Sequence, residues 1–549
     1  MRAAATSILW RDGRRLSPWR LLLAMLLATA IGFWGFISMQ NWAGASTLEN
    51  QNPWFAGYVD ATATPVFAFE DVEETAARDI VLSFIVADPD EPCTPTWGTA
   101  YDLDEAAAEL DLDRRLARVE QLGADLSISF GGLLNDELAT VCTNPAELVR
   151  AYDQVLERYD VSTIDLDIEG ENLTDAVAGQ RRAEAIATLQ ERRREAGDDL
   201  AVWLTLPVIP SGLTEDGTTF VQQMIEAGVD VAGVNVMTMN YGQAKEEGES
   251  MADASIRALQ ATHRQLGIIY ELADIELGSA TLWRKIGATP MLGQNDVVDE
   301  VFTTQDAEEL NAWAVEQGIG RMSVWSLNRD VQCGPNYVDL SRVSDACSGV
   351  PQGDVRFADL LSKGFTGRLD DVAGVVTTPE PRDPSDFIDD PETSPYPIWD
   401  EDNAYLAGSK VVWYRNVYEA KWWTRGELPD NPVLNEWEVP WTLIGPVLEG
   451  EKPQEAVTLP EGVYPEWQGV DVYDKGQRIL FDGIPYESKW WNQGDSPEAY
   501  AADPDSSPWS PVPLDEVEEL AAEWEATGTI ADRTAEEGAD ESGSAEEAD

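Results

Sequence analysis

The sequence predicts an α/β chain: a (β/α)8 barrel followed by two small all-β modules. Three observations carry that prediction. Between about residues 54 and 365, short apolar runs alternate with amphipathic stretches. After residue 395, one pattern of aromatic residues occurs twice, 68 positions apart. A polar stretch rich in Pro, Asp and Glu separates the two regions.

The first 45 residues are set apart. Arg2, Arg11, Arg14, Arg15 and Arg20 precede an apolar run from Leu21 to Met39, and Ala43-Gly44-Ala45 follows as a peptidase-like site. This reads as a signal peptide or an N-terminal membrane anchor. The run is longer than a usual signal core, which favours the uncleaved anchor. Either way, this segment contacts the membrane at least during export. The rest is then extracellular, either secreted or tethered to the cell surface.

Residues 52–365 carry the barrel pattern. The candidate strands are Phe55–Val59, Ile80–Val86, Leu126–Phe130, Thr163–Ile168, Ala201–Leu206, Val231–Met237, Lys285–Met291 and Met322–Trp325. Helical patterns between them include Ala146–Arg158, Gln180–Glu195, Phe220–Glu226 and Asp306–Gln317. Eight alternations in about 300 residues predict a closed parallel barrel. An open doubly wound sheet is the alternative, but no glycine-rich dinucleotide loop follows the first strand.

Residues 366–395 read as an acidic, Pro-rich linker. The repeat follows, as residues 396–446 and 464–512. Tyr396-Pro397 recurs as Tyr464-Pro465, Trp399 as Trp467, Tyr405 as Tyr473 and Pro440-Trp441 as Pro508-Trp509. Lys421-Trp422-Trp423 recurs as Lys489-Trp490-Trp491 without a gap. Modules of about 50 residues cannot bury every ring, so some aromatics must face solvent. Residues 513–549 form an acidic tail read as largely disordered.

Charge and rare residues exclude several functions. The 549 residues carry 37 Lys and Arg against 101 Asp and Glu, a net charge of −64. Such a surface repels nucleic acid and anionic membranes, so a neutral polymer is the easier partner. A monomer is expected. The single histidine, His263, reads as a solvated helix residue. A lone His on a helical run argues against a Ser-His-Asp triad and a multi-His zinc site. Four cysteines in an exported chain read as two disulfides. Proximity in sequence favours Cys333 with Cys347, and therefore Cys93 with Cys142, among three pairings.

The chemistry concentrates in Thr163-Ile164-Asp165-Leu166-Asp167-Ile168-Glu169-Gly170. Strand side chains alternate faces, so Asp165, Asp167 and Glu169 share one. Three carboxyls in a low-dielectric space repel, and at least one should hold a proton near neutral pH. Glu169 stands last, at the C-terminal strand end where barrel enzymes react. A general acid beside a supporting carboxylate fits this spacing. A solvated strand face or a calcium or magnesium site fits the same spacing.

These residues resemble glycoside hydrolase family 18, the chitinases and their relatives. The family motif Asp-x-x-Asp-x-Asp-x-Glu is matched at Asp165, Asp167 and Glu169, with Ser162 in place of the first Asp. Ser129-Phe130-Gly131-Gly132 is similar to its third-strand motif. Met237-Thr238-Met239-Asn240-Tyr241 is similar to its sixth-strand motif, with Asn240 where Asp is common. Ser323-Val324-Trp325 resembles its eighth strand. The resemblance implies hydrolysis of β-1,4 bonds in chitin or another N-acetylglucosamine polysaccharide, with retention and the substrate's own acetamide as nucleophile. Glu169 would be the acid and base. Asp167 would hold the acetamide N–H, and Asp165 would share its proton. Tyr241 would donate to the acetamide oxygen. Met237, Asn240 and Trp325 would line the sugar site, with Trp325 as its floor. No metal and no cofactor are implied. The relatives' insertion before the eighth strand has no room here, which predicts a shallow cleft and endo-type cutting.

The paired modules resemble chitin-binding modules of carbohydrate-binding families 5 and 12. That implies sugar stacking on Trp422, Trp423, Trp490 and Trp491. Two alternatives stay open: a non-catalytic chitin-binding lectin, and an endo-N-acetylglucosaminidase acting on peptidoglycan or N-glycans.

Overall fold

The computed structural model describes residues 52–71, 79–369 and 388–527, apart from 338, 340, 341, 432, 433, 435, 449, 454–458, 460, 461 and 503. The expected N-terminal signal or anchor lies outside the described residues, as do most of the linker and the end of the tail. Among the described residues no helix is long and apolar enough to cross a membrane. The chain divides into two compact units, residues 1–381 and 382–549.

In the first unit eight parallel strands close on themselves: β1 (Trp54–Asp60), β2 (Asp79–Ala87), β3 (Leu126–Gly131), β4 (Thr163–Asp167), β5 (Ala201–Ile209), β6 (Val231–Met237), β7 (Ile286–Ala288) and β8 (Arg321–Met322). Each pairs with the next, and β8 pairs with β1 through Trp54–Arg321 and Phe55–Met322. The predicted alternation holds because a parallel neighbour needs a crossover, and helices supply it. Pro145–Tyr159 begins with Pro under an Asn144 cap, and Ala176–Ala196 ends on Gly197 at φ 79°. The helical run around His263 is part of a longer helix, Met251–Leu272, between β6 and β7. It contains His263, which is half-buried and stacked on Trp283 at 4.1 Å rather than freely solvated.

The barrel interior is a packed core. Trp54 and Trp203 meet edge to face at 5.5 Å, and the Arg321 guanidinium lies 5.1 Å from Trp54 and 5.4 Å from Trp203. Gly233 on β6 makes room for this layer, since a Cβ there would come within 2.3 Å of the Trp203 ring. The barrel also extends past residue 365. Gly367 donates its N–H to Pro53 O, Arg368 pairs with Asp125, and Leu369 is buried in the same cluster as Trp54 and Trp203. Residues 366–369 are therefore barrel and not linker, because an apolar Leu369 has a core to enter.

Two disulfides are present, Cys93–Cys142 and Cys333–Cys347, the pairing favoured by sequence proximity. Before β8, Gly293–Gln294 and Val301–Phe302 form a two-stranded hairpin, followed by the helix Thr304–Gln317.

The second unit shows one strand plan twice. Ala404–Tyr405 pairs with Thr424–Arg425, and Lys410–Trp413, Asn416–Ala420 and Trp441–Pro446 form a three-stranded sheet. Sixty-eight residues on, Val472–Tyr473 pairs with Asn492–Gln493, and Arg478–Phe481, Ile484–Ser488 and Trp509–Pro511 form the second. Hydrogen bonds repeat too. Trp441 Nε1 donates to Glu427 O and Trp509 Nε1 to Asp495 O, each at 2.8 Å. Part of the supposed tail is ordered: Leu514–Thr527 is a helix whose Val517 and Leu520, spaced for one face, enter the second repeat's core.

Candidate active site

The acidic strand β4 sits between β3 and β5, with Asp165 opposite Ser129 and Trp203, and Asp167 opposite Gly131 and Thr205. Inward alternation carries both carboxyls into the barrel. Ile168 and Glu169 follow the strand, and Glu169 remains extended at φ −145°, ψ 173°. The alternation therefore continues, and Glu169 faces the same way above Asp167.

Asp165 is the base of the site and is fully buried. Its Oδ2 accepts from Tyr58 at 2.7 Å and Ser129 at 2.8 Å, and its Oδ1 accepts from Thr205 and Arg321 Nη1, each at 2.7 Å. Asn235 Nδ2 donates to Thr205 Oγ1 at 2.9 Å, which orients the Thr205 hydroxyl proton toward Asp165. Four donors fill the acceptor capacity of a carboxylate. None of the described hydrogen bonds joins Asp165 to Asp167, although the Asp165 charge acts on Asp167.

Asp167 stands in the opposite condition. It is buried, and its Oδ1 has no hydrogen-bond partner. Burial first, then the charges of Glu169 and Asp165, hold its pKa well above the usual carboxylate range. Burial also raises Glu169, with Asp296 adding like charge, to about 7. Burial thus favours the protonated form of the upper two acids, while the lowest is held by four donors.

Glycines bring β3 close to this strand. A Cβ on Gly131 would stand 2.1 Å from the Asp167 carbonyl oxygen, and Gly131 has φ 104°. Gly132 at φ 83° donates its N–H to that same oxygen at 2.8 Å, and a Cβ there would meet the Phe84 ring at 2.9 Å. The Gly-Gly pair is a requirement of close approach and of the left-handed backbone.

Trp325 is half-buried just past β8. It stacks on Phe84 at 5.4 Å and 25°, with Tyr58 6.0 Å away on edge. Met237 is buried at the end of β6. Asn240, at φ 54°, binds Asp296 on the loop after the β7 region. Tyr241 does not join the acids by any described hydrogen bond. Its hydroxyl lies 3.1 Å from Ser255 Oγ on the helix Met251–Leu272, while its N–H donates to Glu300. Asn240 is left-handed, and the Tyr241 side chain beyond it is buried.

Four participants escaped the sequence reading: Tyr58, Thr205 and Arg321 around Asp165, and Asp296 near Glu169. Trp422, Trp490 and Trp491 are exposed in the second unit, whereas Trp423 is half-buried.

No family model matches the chain. It is similar to the "Probable bifunctional chitinase/lysozyme" of Escherichia coli (strain K12), 33% identical over 293 residues, covering 51% of this chain and 31% of that protein. It is also similar to "Endochitinase 11" of Metarhizium anisopliae, 32% identical over 288 residues, covering 50% of this chain and 52% of that one. The chain thus spans about a third to a half of the length of these curated relatives. The solved catalytic domain of a hyperthermophilic chitinase from Pyrococcus furiosus is 27% identical, with a TM-score of 0.48, over 59% of this chain and 99% of that one.

Proposed function

We propose that the chain hydrolyses β-1,4 bonds in chitin or a related N-acetylglucosamine polymer, with Glu169 as acid and then base. One observation carries the reading: Glu169 follows a buried Asp167 whose Oδ1 has no hydrogen-bond partner, and burial raises both carboxyls, Glu169 to about 7. Similarity to two curated chitinases supports the substrate class.

The Glu169 proton goes to the glycosidic oxygen as the bond from that oxygen to the anomeric carbon breaks. The substrate's acetamide oxygen bonds to the same carbon, giving a cyclic oxazolinium ion. Asp167 Oδ1, buried and unpartnered, is the acceptor suited to the acetamide N–H, and the Glu169 carboxylate left by the proton transfer favours the cation. Water then attacks the anomeric carbon as its bond to the acetamide oxygen breaks, restoring the N-acetyl group and giving the water's proton to the Glu169 carboxylate, and configuration is retained. Asp165 is a positioning residue, and Trp325 offers an apolar floor. Tyr241 has no part in this scheme. The boundaries assigned to the barrel and to the two sugar-binding modules belong to the same reading.

Soluble oligosaccharide release from colloidal chitin tests it, comparing wild type with Glu169→Gln. Wild type should release N-acetylglucosamine oligomers, and the variant should be slower by about 10²–10⁴-fold, the usual worth of a positioned acid. No release by wild type overturns the reading and favours sugar binding alone.

A further inference from the structure

The two repeats share a strand plan but not a role. In the first repeat, Ala404, Leu406, Trp423 and Arg425 lie on the paired strands 404–405 and 424–425 or beside them. Leu406 is buried in the second repeat's core cluster with Tyr473, Ile484 and Tyr486, and Ala404 and Trp423 pack against it. The Trp423 ring meets Tyr500 edge-on at 6.2 Å. Arg425 Nη1 pairs with Asp482 at 3.2 Å and with Glu498 at 3.5 Å.

Sixty-eight positions on, the same face consists of Val472, Asp474, Trp491 and Gln493. It is uncovered: Val472 is 48% exposed and Trp491 is 59% exposed. The residues that receive the first face, Asp482, Glu498 and Tyr500, correspond to Tyr414, Asp430 and Pro432. The contact is therefore head to tail, and it stops after one step.

We propose that the repeats form one fused binding body, in which Trp423 is a structural clamp and only the second repeat presents its complete indole pair to a polysaccharide. This rests on the sugar-polymer reading above. The occupant of the open face is a neutral chain of N-acetylhexosamine units. A second copy of this protein fits badly. Asp474 replaces the apolar plug Leu406, Gln493 replaces the ion-paired Arg425, and a net charge of −64 repels a like molecule. A flat exposed indole flanked by polar side chains suits the apolar face and hydroxyl rim of a sugar. Trp491 has the freer ring, since Lys489 Nζ sits 4.9 Å from the Trp490 ring. The pair then counts as a single attachment point, without the gain in effective concentration expected of two tethered modules.

The test uses the full chain carrying Glu169→Gln, adsorbed to insoluble chitin, with Trp423→Phe and Trp491→Ala as added variants. N-bromosuccinimide oxidation, mapped by peptide mass, reports each indole with and without chitin. Trp491→Ala should weaken adsorption by at least about tenfold, the scale of a lost aromatic anchor. Trp423→Phe, which keeps a ring against Tyr500, should stay within about twofold, below what such an anchor contributes. Trp491 should be oxidised and protected by chitin, and Trp423 should be unreactive in both states. Equal loss in the two variants, or chitin protection of an otherwise reactive Trp423, overturns the proposal. Catalytic release by wild type without protection of Trp491 overturns it alone and leaves the hydrolase reading standing. Absence of both release and adsorption removes both.

Discussion

Asn240 holds Asp296 at both ends: its Nδ2 donates to Asp296 Oδ2 at 3.0 Å, and its Oδ1 accepts the Asp296 N–H at 2.9 Å. The clasp fixes a carboxylate whose charge acts on Glu169, so a loop residue helps set the acid's proton affinity. Its consequence is a pH profile. The rate on a soluble oligosaccharide, as kcat/KM, should fall along a basic limb near pH 7, where Glu169 loses its proton. Asp296→Asn removes the like charge and leaves the larger cause, burial, in place. The limb should move to lower pH while the plateau rate is kept. A limb that stays put or moves up would show that Asp296 does not act on the acid.

Arg321 offers a second measurement. It is the only cation donating to Asp165 among the described residues, and both side chains are buried in the barrel. Arg321→Met leaves Asp165 as a buried charge with neutral donors only. Removing one partner of a buried pair costs about 3–5 kcal/mol. Denaturant unfolding of the barrel should report a loss of that size. A loss under about 1 kcal/mol, the scale of an exposed pair, would mean that Tyr58, Ser129 and Thr205 suffice.

Most of the barrel was legible in the sequence because its signals are local. Apolar runs a few residues long mark strands, and the alternation at Asp165, Asp167 and Glu169 survives as a shared inward face. The partners of Asp165 were not legible. Tyr58 is 107 residues away, Thr205 is 40 and Arg321 is 156, and only the closed register brings them together. The setting of Tyr241 was not legible either: its hydroxyl lies 3.1 Å from Ser255 Oγ on the helix Met251–Leu272, a contact its motif does not announce. Trp423 and Trp491 read alike in sequence, and the difference between them lies in Tyr500 and Asp482 on the receiving repeat.

The glycine pair gives a contrast within one fold. Gly131→Ala would drive a methyl into the Asp167 carbonyl at 2.1 Å, and backbone cannot swing aside as a side chain can. Gly123 also has a positive φ, 71°, but a Cβ there meets nothing within 4 Å. Gly123→Ala should cost only the left-handed strain, about 1–2 kcal/mol. Gly131→Ala should cost more than about 4 kcal/mol, the range of core disruption, or prevent folding. Circular dichroism melts of the two variants check the ranking, and similar losses would refute the close approach of β3 to β4.

Stability should carry the mark of the raised acid as well. In the unfolded chain Glu169 ionises near its ordinary 4.5, and in the fold at about 7. Between those values the native state holds more protons, so stability falls as pH rises. Below about pH 4.5 the acid is neutral in both states and the contribution is fully present. Above about pH 7 it is gone, a difference of about 3 kcal/mol at 1.36 kcal/mol per pKa unit. Glu169→Gln cannot ionise and escapes this loss. The variant's barrel should therefore gain on wild type in thermal midpoint from pH 5 to pH 8, even as hydrolysis is lost. Parallel midpoints across that range would mean that Glu169 is solvated in the native state, and the acid role would go with it.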